Sequence, residues 1–90
     1  MKLIKISAMW CPACLIMRNV INNLDIDIEQ VEYDYDLDEE EISKYNVGDI
    51  LPVFILEDDG IEISRLIGEN TKEEVLEFIR SNTKWKKYYF

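Results

Sequence analysis

Apolar residues fall into short runs and spaced stripes that divide the chain into a series of strands and helices. Leu3, Ile4 and Ile6 form a nearly continuous apolar run, the pattern of a strand covered on both faces, with Lys5 its one misfit. Ala13, Met17, Val20, Ile21 and Leu24 then mark the buried stripe of an amphipathic helix that ends near Asn22-Asn23. From about Ile26 the period becomes two: Val31, Tyr33 and Tyr35 alternate with Gln30, Glu32 and Asp34, a strand polar on one face. Asp36 with Glu39 has the form of a helix start, Ile42 and Tyr45 supply a small apolar stripe, and Asn46-Val47-Gly48 ends that acidic helix. Val53-Phe54-Ile55-Leu56 reads as a buried strand opening on Pro52, and Asp59-Gly60 as a tight hairpin into residues 61–66. Gly68 breaks the chain, Thr71 with Glu74 forms a capping box, and Val75, Phe78 and Ile79 give a last helix its buried stripe. The predicted order is βαβαββα, and its opening strand, helix and strand imply a right-handed parallel crossover.

Composition narrows what such a domain does. Ninety residues, 48% of them hydrophobic, suffice for one modest core, so a single domain over residues 1–83 is expected, with a basic aromatic tail over residues 84–90. A net charge of −9 argues against binding nucleic acid, which needs a basic stripe to neutralise phosphates. No segment reads as a signal peptide or a membrane span, so a cytoplasmic protein is expected. Histidine is absent, which removes imidazole as base, acid or metal ligand. In a reducing compartment the two cysteines point to catalysis or metal binding rather than to a structural staple.

Both cysteines lie in Trp10-Cys11-Pro12-Ala13-Cys14, where the first strand runs into the first helix. Residues three apart share a helix face at a separation a disulfide can bridge, so the pair can open and close without unfolding. A thiolate at Cys11 would be stabilised by the free amides and positive dipole end of the helix, which makes Cys11 the expected nucleophile and Cys14 its resolving partner. The blander alternatives are two buried apolar thiols or half of a metal site. A full thiolate site would need Cys11 and Cys14 from two chains, so a zinc- or iron-sulfur-bridged dimer is the main non-enzymatic rival. A plain interaction domain is a third.

With these residues in place, the chain is similar to the thioredoxin-like superfamily from Lys2 to about Ser81. The Cys-Pro-Ala-Cys segment falls between strand and helix as the family's redox motif does, Leu51-Pro52 stands where the family carries a cis-proline, and Gly68 matches the glycine after the fourth strand. The resemblance implies an α/β thioredoxin-like fold, a four-stranded mixed sheet flanked by three helices, and a cis Leu51-Pro52 bond. It implies that Cys11 attacks a substrate disulfide and that Cys14 resolves the mixed disulfide. It further implies that the backbone at Leu51 and Pro52 pairs with the substrate chain, while Trp10 and Pro12 shape an apolar landing surface. The partners implied are protein disulfides and a protein reductant such as a thioredoxin reductase, acting in cell redox homeostasis, with no cofactor and a monomeric state.

The chain departs from the family at Lys5, at Val53, which replaces the threonine common after the proline, and by one further residue between Val47 and Pro52. Lys5 stands six places before Cys11, where many thioredoxins carry an acidic residue that assists proton transfer to the second cysteine. Lys5 is therefore a candidate for tuning the cysteines as a buried cation, or else a solvated residue whose stem lies over apolar neighbours. The length and the proline after Cys11 also suggest a glutaredoxin, a glutathione-dependent alternative. However, Ser7-Ala8-Met9 lacks that family's lysine before the motif, and Gly68-Glu69-Asn70 lacks its paired glycines. Outside the motif, the acidic run from Glu32 to Glu41 reads as a solvated helix and loop. The tail aromatics Trp85, Tyr88, Tyr89 and Phe90 read as packing back on the body.

Overall fold

The computed structural model describes residues 1–82; the tail expected at residues 84–90, and the domain limit at residue 83, lie outside the described residues. The strands are β1 (Lys2–Ser7), β2 (Glu29–Asp34), β3 (Val53–Asp58) and β4 (Ile61–Ile67). The helices are α1 (Pro12–Asn22), α2 (Glu39–Ile42, continued by the 3-10 turn Ser43–Tyr45) and α3 (Lys72–Asn82). The βαβαββα order expected from the sequence is present, in a mixed sheet of order β2-β1-β3-β4. β1 runs parallel to β2 and antiparallel to β3, and β3 pairs antiparallel with β4.

The two continuous apolar runs became the two central strands, because only a central strand with both faces covered has a use for consecutive apolar side chains. Their pleat divides the core in two. Leu3, Phe54 and Leu56 pack under Met17 and Ile21 of α1 and Val75, Phe78 and Ile79 of α3. Ile4, Ile6, Val53 and Ile55 project to the other face with Ile42 of α2, and this cluster also takes in Cys11, Cys14 and Leu51. The reactive segment is thus anchored in one half of the core, where each fully buried Ile or Leu contributes on the order of 1.5–3 kcal/mol.

Local signals explain most element ends. Asp59 (φ 53°) and Gly60 (φ 77°) both take positive φ, the conformation a two-residue hairpin needs to match strand twist. At the start of α3, the Glu74 amide donates to Thr71 Oγ1 (3.1 Å) and the Thr71 amide donates to Glu74 Oε1 (2.9 Å), a reciprocal capping box. Thr71→Ala should lower stability by about 1 kcal/mol. In urea unfolding the midpoint should fall with the slope unchanged; an unmoved midpoint would show that packing of α3 carries its N-terminus unaided.

Two local expectations are corrected. β2 begins at Glu29 rather than near Ile26, because its register pairs Glu29 with Lys2 and little of β1 remains for earlier residues to pair with. Ile26 and Ile28 still pack on the core from an irregular approach. The Asp36–Glu39 helix start does not form. Asp38 occupies the N-cap of α2 without a side-chain capping bond, and its Oδ2 instead accepts from the Asp34 amide at 2.7 Å. Asp34 Oδ1 accepts from the amides of Asp36 (2.9 Å) and Leu37 (3.1 Å), so the aspartates build a turn before the helix. The expected stop at Asn46-Val47-Gly48 does form, with Asn46 as the left-handed residue that ends the 3-10 turn (φ 52°).

Candidate active site

The site is built where β1 ends. The Cys11 amide donates to the Ala8 carbonyl (3.2 Å), closing a tight turn that places Cys11 at the N-cap of α1. Pro12 follows at the first helical position, where its missing amide leaves no hydrogen bond unmade. Cys11 then acts as a capping residue with sulfur in place of oxygen: its Sγ accepts the Cys14 amide at 3.2 Å. That bond holds the Cys11 sulfur at the free amides of the first helical turn.

The opposite wall comes from the segment before β3. The Leu51-Pro52 peptide bond is cis, and the Leu51 carbonyl lies 3.8 Å from Cys11 Sγ, in position to accept from the thiol. The Pro52 carbonyl accepts the Gly68 amide (2.8 Å), which ties this wall to the end of β4. Gly68 holds φ +83°, a backbone conformation that suits glycine, whereas a Cβ there would make only ordinary contact with Ile50 at 3.4 Å.

Both cysteines are free thiols and only slightly exposed, 6% for Cys11 and 5% for Cys14. Their environments differ in kind. Burial, reinforced by the hydrogen bond with Cys11, pushes the Cys14 thiol up to about 11, while the Ala8 backbone and the Arg18 guanidinium pull the other way. Cys14 is therefore a protonated thiol at neutral pH.

The residues expected around the pair are arranged as follows. Leu51 and Pro52 are buried against the site. Trp10 is 62% exposed, with its indole Nε1 donating to Asp36 Oδ2 (2.7 Å) and its ring edge-on to Tyr35. Pro12 is also exposed. Lys5 adopts a position between its two expected alternatives: its side chain is 19% exposed and its ammonium lies 3.9 Å from Glu32. Sequence reasoning missed Ile50 and Ile67, exposed apolar residues flanking Leu51-Pro52 and Gly68, and it missed Asp36 as the anchor of Trp10. The position of Ile50 beside Leu51-Pro52 was a usable signal; the approach of Asp36 to Trp10 depends on tertiary structure. No group of three or more potential metal ligands occurs among the described residues, and none of their helices is long and apolar enough to cross a membrane.

This arrangement has close structural counterparts. The chain superimposes on the thioredoxin of Fasciola hepatica with a TM-score of 0.81 at 27% identity, over 91% of this chain and 80% of that one. It is similar to mitochondrial thioredoxin 3 of Saccharomyces cerevisiae in its oxidised form, with a TM-score of 0.78 and 26% identity over 89% and 76% of the two chains. The reduced thioredoxin pre-protein of Schistosoma mansoni gives a TM-score of 0.81 at 25% identity over 91% and 78%. No curated protein sequence matches the chain significantly. The family model for Thioredoxin matches residues 1–81, which takes in every strand, α1, α2 and all but the last residue of α3. The chain therefore belongs to the thioredoxin family, a family of thiol-disulfide oxidoreductases.

Proposed function

We propose that the protein reduces disulfides of other proteins through reversible oxidation of Cys11 and Cys14, with Cys11 as nucleophile. The observation that carries this reading is the 3.2 Å hydrogen bond from the Cys14 amide to Cys11 Sγ, which stabilises negative charge on one sulfur while burial keeps the other protonated. Exchange needs that asymmetry, since one thiolate must attack first and a second thiol must wait.

In the first step the Cys11 thiolate attacks one sulfur of the substrate disulfide. A Cys11–substrate bond forms, the substrate S–S bond breaks, and the departing sulfur takes a proton. In the second step Cys14 loses its proton and attacks Cys11 Sγ, closing the Cys11–Cys14 disulfide and releasing the second substrate sulfur as a thiol. The exposed apolar side chains of Trp10, Pro12, Ile50 and Ile67 supply a landing surface for a polypeptide, and Leu51 offers backbone beside the attacked bond. In this reading the protein is a monomer working in the cytoplasm, where a protein reductant such as a thioredoxin reductase restores both thiols.

The midpoint potential of the couple tests the direction. Protein equilibrated in graded thiol–disulfide buffers and trapped by alkylation should titrate near about −270 mV, the level of a general reductase. A midpoint at about −200 mV or above would instead indicate a glutaredoxin-like, isomerase or oxidase role and overturn the reductive assignment.

A further inference from the structure

A narrow cleft beside Cys14 is lined by Lys5 and Ser7 of β1, Arg18 of α1, Glu32 of β2 and Pro52. Its free volume of about 20 Å³ admits a single water molecule. Charges of both signs meet there. The Arg18 guanidinium lies 2.7 Å from Glu32 Oε2, Lys5 Nζ lies 3.9 Å from Glu32 Oε1, and the Ser7 hydroxyl donates to the same carboxylate at 3.4 Å. β3 itself adds only Phe54 to the lining, and the remaining titratable neighbour of Cys14 is Cys11. The cleft thus sets two cations and one anion beside a buried thiol that must lose its proton to act.

We propose that Arg18 is a positioning residue for the resolving step: one helical turn beyond Cys14 and lining the same cleft, its guanidinium steadies the Cys14 thiolate, Lys5 adds to that field, and Glu32 restrains it. The proposal rests on the reading of Cys14 as the resolving thiol. The Cys14 S–H bond breaks, its electron pair forms the bond to Cys11 Sγ, the Cys11–substrate S–S bond breaks, and the proton ends on the departing substrate sulfur. No other oxidant or reductant enters. Arg18 acts on the intermediate moment, when Cys14 carries a negative charge in a site whose burial disfavours it. The direction agrees with the pull that Arg18 exerts on the Cys14 thiol against burial. Since Arg18 and Glu32 are 53% and 45% exposed, solvent screens the field and the effect is moderate rather than decisive.

The test is two-phase release of thionitrobenzoate. Reduced protein mixed with dithiobis(nitrobenzoate) releases one equivalent as Cys11 is capped, then a second as Cys14 attacks Cys11; stopped-flow absorbance follows both from pH 6 to 10. Arg18→Met should slow the second phase by about threefold at neutral pH and move its pH midpoint upward. Lys5→Met should act in the same direction, and Arg18→Lys should retain most of the native rate. Glu32→Gln should do the opposite, accelerating the second phase and lowering its midpoint, because both cations then act unopposed. The first phase should be unchanged in all four, which also verifies folding around Cys11. A Glu32→Gln protein slowed as much as Arg18→Met would overturn the proposal in favour of a purely structural cluster or of Glu32 as proton acceptor. Second phases unmoved in every variant would overturn it too. Failure of the underlying reading looks different: native protein would then show no second phase at all.

Discussion

Cys14→Ser should stop the reaction halfway, leaving a stable covalent adduct of Cys11 with its protein substrate. The substitution leaves Cys11 able to attack, since the amide that bonds its sulfur belongs to the backbone of residue 14 and survives a change of side chain. What disappears is the sulfur that would displace Cys11 from the mixed disulfide. The adduct should be visible as an added substrate mass that dithiothreitol removes. Cys11→Ser should behave differently, forming no adduct and reducing a protein disulfide such as that of insulin only at the rate of the added small thiol. A serine at that N-cap can still accept the Cys14 amide, so the fold should hold. Native turnover by the Cys11→Ser protein would refute the assignment of Cys11.

The largest loss of stability should come from Ile55→Ala. Ile55 is fully buried at the centre of β3, paired with Ile4 on one side and Arg65 on the other, and it belongs to the same cluster as both cysteines. Truncating such a side chain removes its transfer free energy and leaves a cavity, together about 2–5 kcal/mol, against a total stability of about 5–15 kcal/mol for a domain of this kind. Ile61→Ala, at a residue 66% exposed, should cost far less. Urea unfolding of the two variants checks the contrast, and equal losses would contradict the burial seen here.

How much of this was legible in the sequence depended on whether a signal is local. The apolar runs around Ile4 and Ile55, the Asp59-Gly60 turn and the Thr71–Glu74 box each act within a few residues, and each formed where expected. The Cys11–Cys14 spacing was equally local, and its geometry follows from the first turn of a helix. The start of α2 was misread because Asp34 and Asp38 commit their carboxylates to amides of the preceding turn and Asp36 is drawn away to Trp10. The grouping of Lys5, Arg18 and Glu32 requires the β1–β2 register, in which Lys5 pairs with Glu32. That register is a tertiary fact with no trace in any short window. For the same reason Lys5 looked like an unexplained charge in an apolar strand, although its partner lies on the neighbouring strand.

The placement of β1 at the middle of the sheet also governs when the site comes into being during synthesis. β1 precedes every other element in the chain, yet its two neighbours are β2 and β3, and its register with β3 reaches Glu57. At roughly 5–20 residues per second, a ribosome delivers the Cys-Pro-Ala-Cys motif several seconds before the strand that completes its wall. A nascent chain arrested before β3 emerges therefore carries both thiols without Leu51, Pro52 or the central pairing that positions them, and is open to chemistry that the finished domain reserves for its substrates.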